Sequence, residues 1–155
     1  MAETPASAAA LKTVTLVSSD GERFEIAESS AKQSITIGNI IDDGCCDASI
    51  PVPNVTGKVL TKVIEYLKNH GGGGGDAEKK EKDDELVSAP VPVLLDYILA
   101  ANYLDIKGLV DLVAQEIADS MKDKSPEWVR SEFNIENDYT PEEEEAVKSH
   151  FAWAF

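Results

Sequence analysis

The sequence predicts a mostly helical α+β fold carrying one small sheet, on three observations. Period-two alternation of β-branched and polar residues is concentrated near the start, in Thr13–Val17 and Arg23–Ile26. From Thr56 onward the apolar residues recur at helical spacing in one segment after another. At 155 residues the chain can bury about 70% of the surface its unfolded form exposes, so a core forms without disulfide or metal staples.

Taken in order, the two alternating runs flank Ser18-Ser19-Asp20-Gly21-Glu22, and a D-G turn between such runs predicts a β-hairpin. Ile35, Ile37, Ile40 and Ile41 predict a short helix that stops at Asp42-Asp43-Gly44. Ile50-Pro51-Val52-Pro53 can be at most an edge strand, because its prolines cannot donate to a ladder. Thr56 is a suitable N-cap, after which Val59, Leu60, Val63, Ile64 and Leu67 share one helical face until Gly71.

Gly71 to Glu85 has no apolar side chain larger than Ala. Such a segment cannot offset its ordering entropy, so residues 71–88 are expected to form a mobile, disordered insertion. Its five consecutive glycines followed by Asp76 fit neither G-x-G-x-x-G nor G-x-x-x-x-G-K-[ST], so no phosphate loop is expected.

Leu94 to Leu104 is apolar on nearly every side and predicts a central buried helix. In the next helix, Lys107 to Met121, the residues Ile106, Leu109, Val110, Val113, Ala114, Ile117, Ala118 and Met121 fill an arc of roughly 180° at ~100° per residue. One core contact needs a narrower stripe. Ser125-Pro126-Glu127 and Thr140-Pro141-Glu142-Glu143 then predict two helix starts with Pro at the first helical position, the second with a capping box. Six of the ten aromatic residues (Trp128, Phe133, Tyr139, Phe151, Trp153, Phe155) fall in the last 28 positions. Aromatics crowded into a polar terminus are either core or interface anchors. Glu142 to Glu145 reads as first-turn charge favouring a helix dipole, not as a catalytic acid pair.

Charge narrows the function. With 29 acidic against 14 basic residues and a net charge of -15, the chain lacks the clustered cations that displace phosphate counterions, so neither nucleic acid nor an anionic membrane is an expected partner. No apolar run approaches the ~20 residues that span a bilayer, and Met1–Ala10 lacks the basic and apolar regions of a secretory leader, so a soluble intracellular protein is expected. Cys45 and Cys46 are adjacent, which suits neither a loop-closing disulfide nor a C-x-x-C metal grip, and His70 and His150 add no paired spacing. Asp42, Asp43 and Asp47 beside the cysteines disfavour a nucleophilic thiolate. No metal, cofactor or catalytic residue is expected.

At Leu99-Ala100-Ala101-Asn102-Tyr103-Leu104-Asp105-Ile106-Lys107-Gly108-Leu109 the sequence closely resembles the Skp family, the S-phase kinase-associated adaptors of SCF ubiquitin ligases. The likeness continues in Ile50–Thr56, Val63–Tyr66, Phe133–Glu144 and the closing Trp153-Ala154-Phe155, which resembles the plant-type branch. It covers Thr13 to Phe155 apart from the insertion. Around Gly38-Asn39-Ile40 and Asp43 to Asp47 the sequence departs from the family, which has a larger polar or basic residue where Gly38 stands.

The resemblance implies a BTB/POZ fold, a small three-stranded sheet wrapped by helices, over residues 13–121 after a flexible N-terminus at 1–12. Residues 107–155 would form a C-terminal F-box-binding extension that shares the helix 107–121. The family's role is a non-catalytic bridge between the N-terminal domain of a cullin and F-box substrate receptors, linked indirectly to a RING protein and a ubiquitin-conjugating enzyme, in nucleus and cytoplasm. Carried over, cullin binding falls to Asn102 and Tyr103, with Ile37 and Ile41, and F-box binding to Val110, Ala114, Ile117, Met121, Trp128, Phe133 and Trp153. Two other readings are a self-associating BTB/POZ scaffold and a small cysteine enzyme using Cys45 or Cys46.

Overall fold

The hairpin forms where the alternation places it. Strand β1 (Thr13–Ser18) pairs antiparallel with β2 (Arg23–Ala27), setting Val14 opposite Ile26 and Leu16 opposite Phe24. Gly21 takes φ +82° in the turn, a left-handed value that an L side chain resists. Strand β3 (Ile50–Val52) adds to β1 in parallel, with Leu16 level with Ile50, and the order β2-β1-β3 leaves it at the edge, where Pro51 is tolerated. Leu16, Ile26, Ile50 and Val52 are all buried.

The computed structural model describes residues 12–44 and 49–154, and the chain divides into two compact units, residues 1–120 and 121–155. Cys45, Cys46, Phe155 and residues 1–11 of the expected flexible N-terminus lie outside the described residues. Lys12 is already tied down, its carbonyl accepting the Glu28 N–H at 2.8 Å.

In the first unit two short helices, α1 (Glu28–Ala31) and α2 (Ile35–Asp42), follow the hairpin. Gly38 sits inside α2, and a Cβ there would meet only ordinary contacts, the nearest being the Lys32 carbonyl oxygen at 3.6 Å. The long helix α3 (Gly57–Gly71) buries Leu60, Val63, Ile64 and Leu67, the stripe expected from its period. Its cap differs from expectation. Thr56 occupies the N-cap position but its side chain accepts no bond from the helix, whereas Asp20, reaching over from the hairpin turn, accepts the Gly57 N–H at 2.8 Å. Ser18 also donates to this carboxylate, and the two bonds hold Asp20 below the usual carboxylate range.

The expected disordered insertion at 71–88 is corrected: Asp76–Val87 is a helix, α4. Charge composition concealed it, because α4 has no apolar stripe and is anchored by a few specific contacts. Leu86 and Val87 are buried at its end, Lys82 pairs with Glu78 at 2.9 Å, and Asp83 meets Asn69 and His70 of α3. Helix α5 (Val91–Tyr103) buries Val91, Leu94, Tyr97, Ala100 and Ala101, but it is not buried all round, since Leu99 is 67% exposed. Asp105, at φ +51°, then closes α5: its own N–H reaches the Asn102 carbonyl and the Ile106 N–H reaches that of Ala101, the paired bonds of a Schellman motif. Helix α6 (Lys107–Met121) starts beside Tyr66 so closely that a Cβ on Gly108 would lie 2.6 Å from the phenol oxygen.

In the second unit, α7 (Pro126–Glu132) and α8 (Pro141–His150) begin at the expected caps. Ser125 Oγ accepts the Trp128 N–H at 3.1 Å. Thr140 and Glu143 form the reciprocal capping box, Thr140 N–H to Glu143 Oε2 at 2.9 Å and Glu143 N–H to Thr140 Oγ1 at 3.3 Å. A short 3-10 turn, Ala152–Ala154, follows α8.

Candidate functional site

Apolar surface emerges at the junction of α2 and α5 in the first unit. Ser34 is the staple: its hydroxyl donates to the Leu104 carbonyl and accepts the Ile37 N–H at 3.1 Å. The Ile35 N–H reaches the Asp105 carbonyl at 3.2 Å and Thr36 Oγ1 reaches the Tyr103 carbonyl at 3.3 Å. The start of α2 is thereby fixed beside the end of α5. Asn102 is exposed, Tyr103 is 39% exposed, and Ile35 is 54% exposed.

Leu99 lies one helical turn before Tyr103, and both border a shallow depression of about 380 Å³ floored by Val55, Val59 and Ala100 and edged by Asn54 and Asp96. The residues expected on α2 divide. Ile41 is half-buried, but Ile37 is 1% exposed, so it belongs to the core and holds the helix without presenting its own side chain. Ile35 and Leu99 were missed as surface residues. The sequence carried no signal for Leu99, because a helix apolar on nearly every side reads as buried all round.

The wide arc of α6 also divides. Ile106, Leu109 and Val113 are core, while Val110, Ala114 and Met121 are half-buried and Ala118 is exposed. Ile117, expected at the surface, is 8% exposed and belongs with the core side. A single apolar arc therefore serves two purposes, one edge packing inward and the other remaining available.

The second unit, by itself, carries a larger apolar exposure. Trp128 and Phe133 are half-buried, with the Lys124 ammonium 5.3 Å from the centre of the Trp128 ring. Ile135, Tyr139 and Phe151 are exposed, and Trp153 is 85% exposed. Asn134, at φ +52°, ends α7 with a Schellman motif, the Ile135 N–H reaching the Arg130 carbonyl at 2.8 Å. Local hydrogen bonding shapes these turns, and it leaves the aromatic faces uncovered. The glutamates at 142–145 sit in or next to the first turn of α8, where they favour its dipole.

Both regions match known proteins. Residues 12–71 match the family model described as Skp1 family, tetramerisation domain, and residues 107–154 the one described as Skp1 family, dimerisation domain. "SKP1-like protein 4" of Arabidopsis thaliana is 49% identical, covering 93% of this chain and 96% of that protein. "SKP1-like protein 1A" of the same plant is 46% identical over 93% and 98% of the two chains. "SKP1-like protein 1" of Oryza sativa subsp. japonica is 45% identical over 93% and 95%.

Proposed function

The chain belongs to the Skp1 family, and on that premise we propose that it is a non-catalytic adaptor of an SCF cullin–RING ubiquitin ligase. Its sheet and surrounding helices are the BTB/POZ fold of that family. In this reading Asn102, Tyr103 and Ile41, joined by the exposed Ile35 and Leu99 and without the buried Ile37, receive the N-terminal domain of a cullin. Val110, Ala114 and Met121 of α6, with Trp128, Phe133 and Trp153 of the tail, hold the F-box of a substrate receptor.

The observation that carries the reading is the exposure of large apolar side chains at two distinct places, Leu99 and Tyr103 in the first unit and Tyr139, Phe151 and Trp153 in the second. Aromatic anchors of this kind dominate the energetics of protein interfaces. The chain then acts on ubiquitin transfer by position, bringing a receptor and its substrate to the conjugating enzyme recruited through the cullin and its RING protein.

Co-expression with an F-box segment is the test. The expected result is a monodisperse heterodimer that melts higher than the free chain and captures a cullin N-terminal domain, with capture lost in Tyr103→Ala and F-box binding retained. A chain that gains no stability from any F-box overturns the receptor half of the reading. A concentration-independent homodimer that binds neither partner favours the self-associating scaffold instead. Ile117→Asp is not a probe of the surface, because its charge would enter the core; Val110→Asp and Met121→Asp are the suitable substitutions.

A further inference from the structure

The glycine run and the helix after it have no part in either surface, yet their contacts are specific. Between Asp76 and Glu85 only Lys79 and Asp83, one turn apart on α4, are half-buried, and every other side chain is exposed. The Lys79 backbone and the Asp83 side chain meet the end of α3. Asn69 Nδ2 donates to the Lys79 carbonyl at 3.2 Å and to Asp83 Oδ1 at 3.4 Å. His70 Nε2 lies 2.9 Å from each carboxylate oxygen of Asp83. The imidazole stacks in turn on Tyr66, ring centres 4.2 Å apart.

The two ends of the segment differ. Leu86 and Val87 are buried and hold the C-terminal end of α4. The N-terminal end hangs on Gly72–Gly75, since Gly71 still belongs to α3 and packs against Ser30 and Gln33; beyond their chain neighbours, Gly73 and Gly75 have no heavy atom within 4 Å of the Cβ position. Glycines lose the most freedom on ordering, so slack on this side is cheap to restore. Between the ends lies a cavity of about 480 Å³ whose walls include Lys62, Tyr66 and Asn69 from α3 and Asp83 and Leu86 from α4.

We propose that α4 is a releasable strap over the outer face of α3, docked through Asp83 and paid out by the glycine run. Docked, it covers the Tyr66–His70 stack; released, residues 76–85 lift as a loop pivoting at Leu86 and open that face of α3. The arrangement suits release, since α4 has no apolar stripe of its own to hold it down and the docking bonds converge on one carboxylate and one carbonyl. Burial, with Asp83 and Asp111 nearby, pushes the Tyr66 phenol up, and its hydroxyl lies against Gly108 of α6.

Hydrogen exchange read by mass spectrometry on the full chain, with trypsin cutting at Lys79, Lys80 and Lys82 as a second readout, tests the strap. Wild type is expected to protect the amides of residues 79–85. Asp83→Ala should speed their exchange and the tryptic cut at least tenfold while α5 and α6 keep wild-type protection. Asn69→Ala with His70→Ala, made on the receiving side, should do the same, which guards against an effect peculiar to one variant. Unprotected amides in wild type, unchanged exchange in both variants, or loss of protection spreading through α5 and α6 would each overturn the proposal.

Discussion

Two regions of this chain are held in shape by different physics. From Thr13 to Ile117 the helices and strands share a core of Leu16, Ile26, Leu60, Leu67, Leu94, Leu104, Leu109 and Val113, contributed by elements separated in sequence, such as β1 with β3 and α3 with α5, that pack on one another. From Pro126 onward no described residue of α7, α8 or the last turn is buried, and order comes from neighbours in sequence: the Ser125 cap, the Thr140–Glu143 box and the Asn134 turn. A helix shorter than about 12 residues is marginal on local bonding alone, so a unit of this kind gains most from a partner that covers its apolar side chains. The first unit is held by a shared core, the second by bonds local in sequence.

That contrast can be broken most severely in the core. Leu60→Ala removes a fully buried side chain of α3 and should cost about 3 kcal/mol in chemical denaturation, with the cavity adding to the lost transfer energy. Trp153→Ala should do the reverse. Its side chain is nearly free of contacts, so denaturation should shift by less than about 0.5 kcal/mol, whereas F-box affinity measured by calorimetry should fall by about 2 kcal/mol. Equal effects on both quantities would remove the distinction between the units.

Two glycines of the first unit give a finer comparison. Gly108→Ala forces a methyl against the Tyr66 hydroxyl and should destabilise by about 1–3 kcal/mol. Gly38→Ala, inside α2 with room for a Cβ, should stabilise by about 0.5–1 kcal/mol through helix propensity. Thermal melts of the pair should therefore move in opposite directions. In the tail, Thr140→Ala should loosen α8 by about 1 kcal/mol, seen as faster amide exchange confined to residues 141–150.

The smallest effect concerns Asp20. Its carboxyl is held below the usual range by Ser18 and the Gly57 N–H, so its contribution to stability is complete above the unfolded-state value and is lost as pH falls through the lower folded-state value. Asp20→Asn should therefore narrow its gap from wild type below about pH 4. A gap that stays constant with pH would mean the cap does not act through its charge.

Much of this was legible in the residues. The hairpin, the restriction of any strand at Ile50–Pro53 to an edge, the α3 stripe and both proline-started tail helices all follow from periods, prolines and caps that are local properties. What escaped was non-local. Asp20 caps a helix 37 positions away, Asn69 and His70 order a segment whose composition argues for disorder, and Ile37 and Ile117 are core although their helices also have apolar edges that stay open. Periodicity gives the angle of a residue around its own helix. It does not say where the neighbouring element ends.

By itself the sequence determined the hairpin, the edge strand and most of the helices, though not α1 or α4, that the tail aromatics cannot be ignored, and, through its resemblance, which family to compare. Only the tertiary structure decided which apolar residues remain available: Leu99 and Ile35 outside, Ile37 and Ile117 inside. The reason is geometric. Burial depends on what lies across from a side chain, and that neighbour is chosen by the packing of distant elements, as when Ser34 staples the start of α2 to the end of α5.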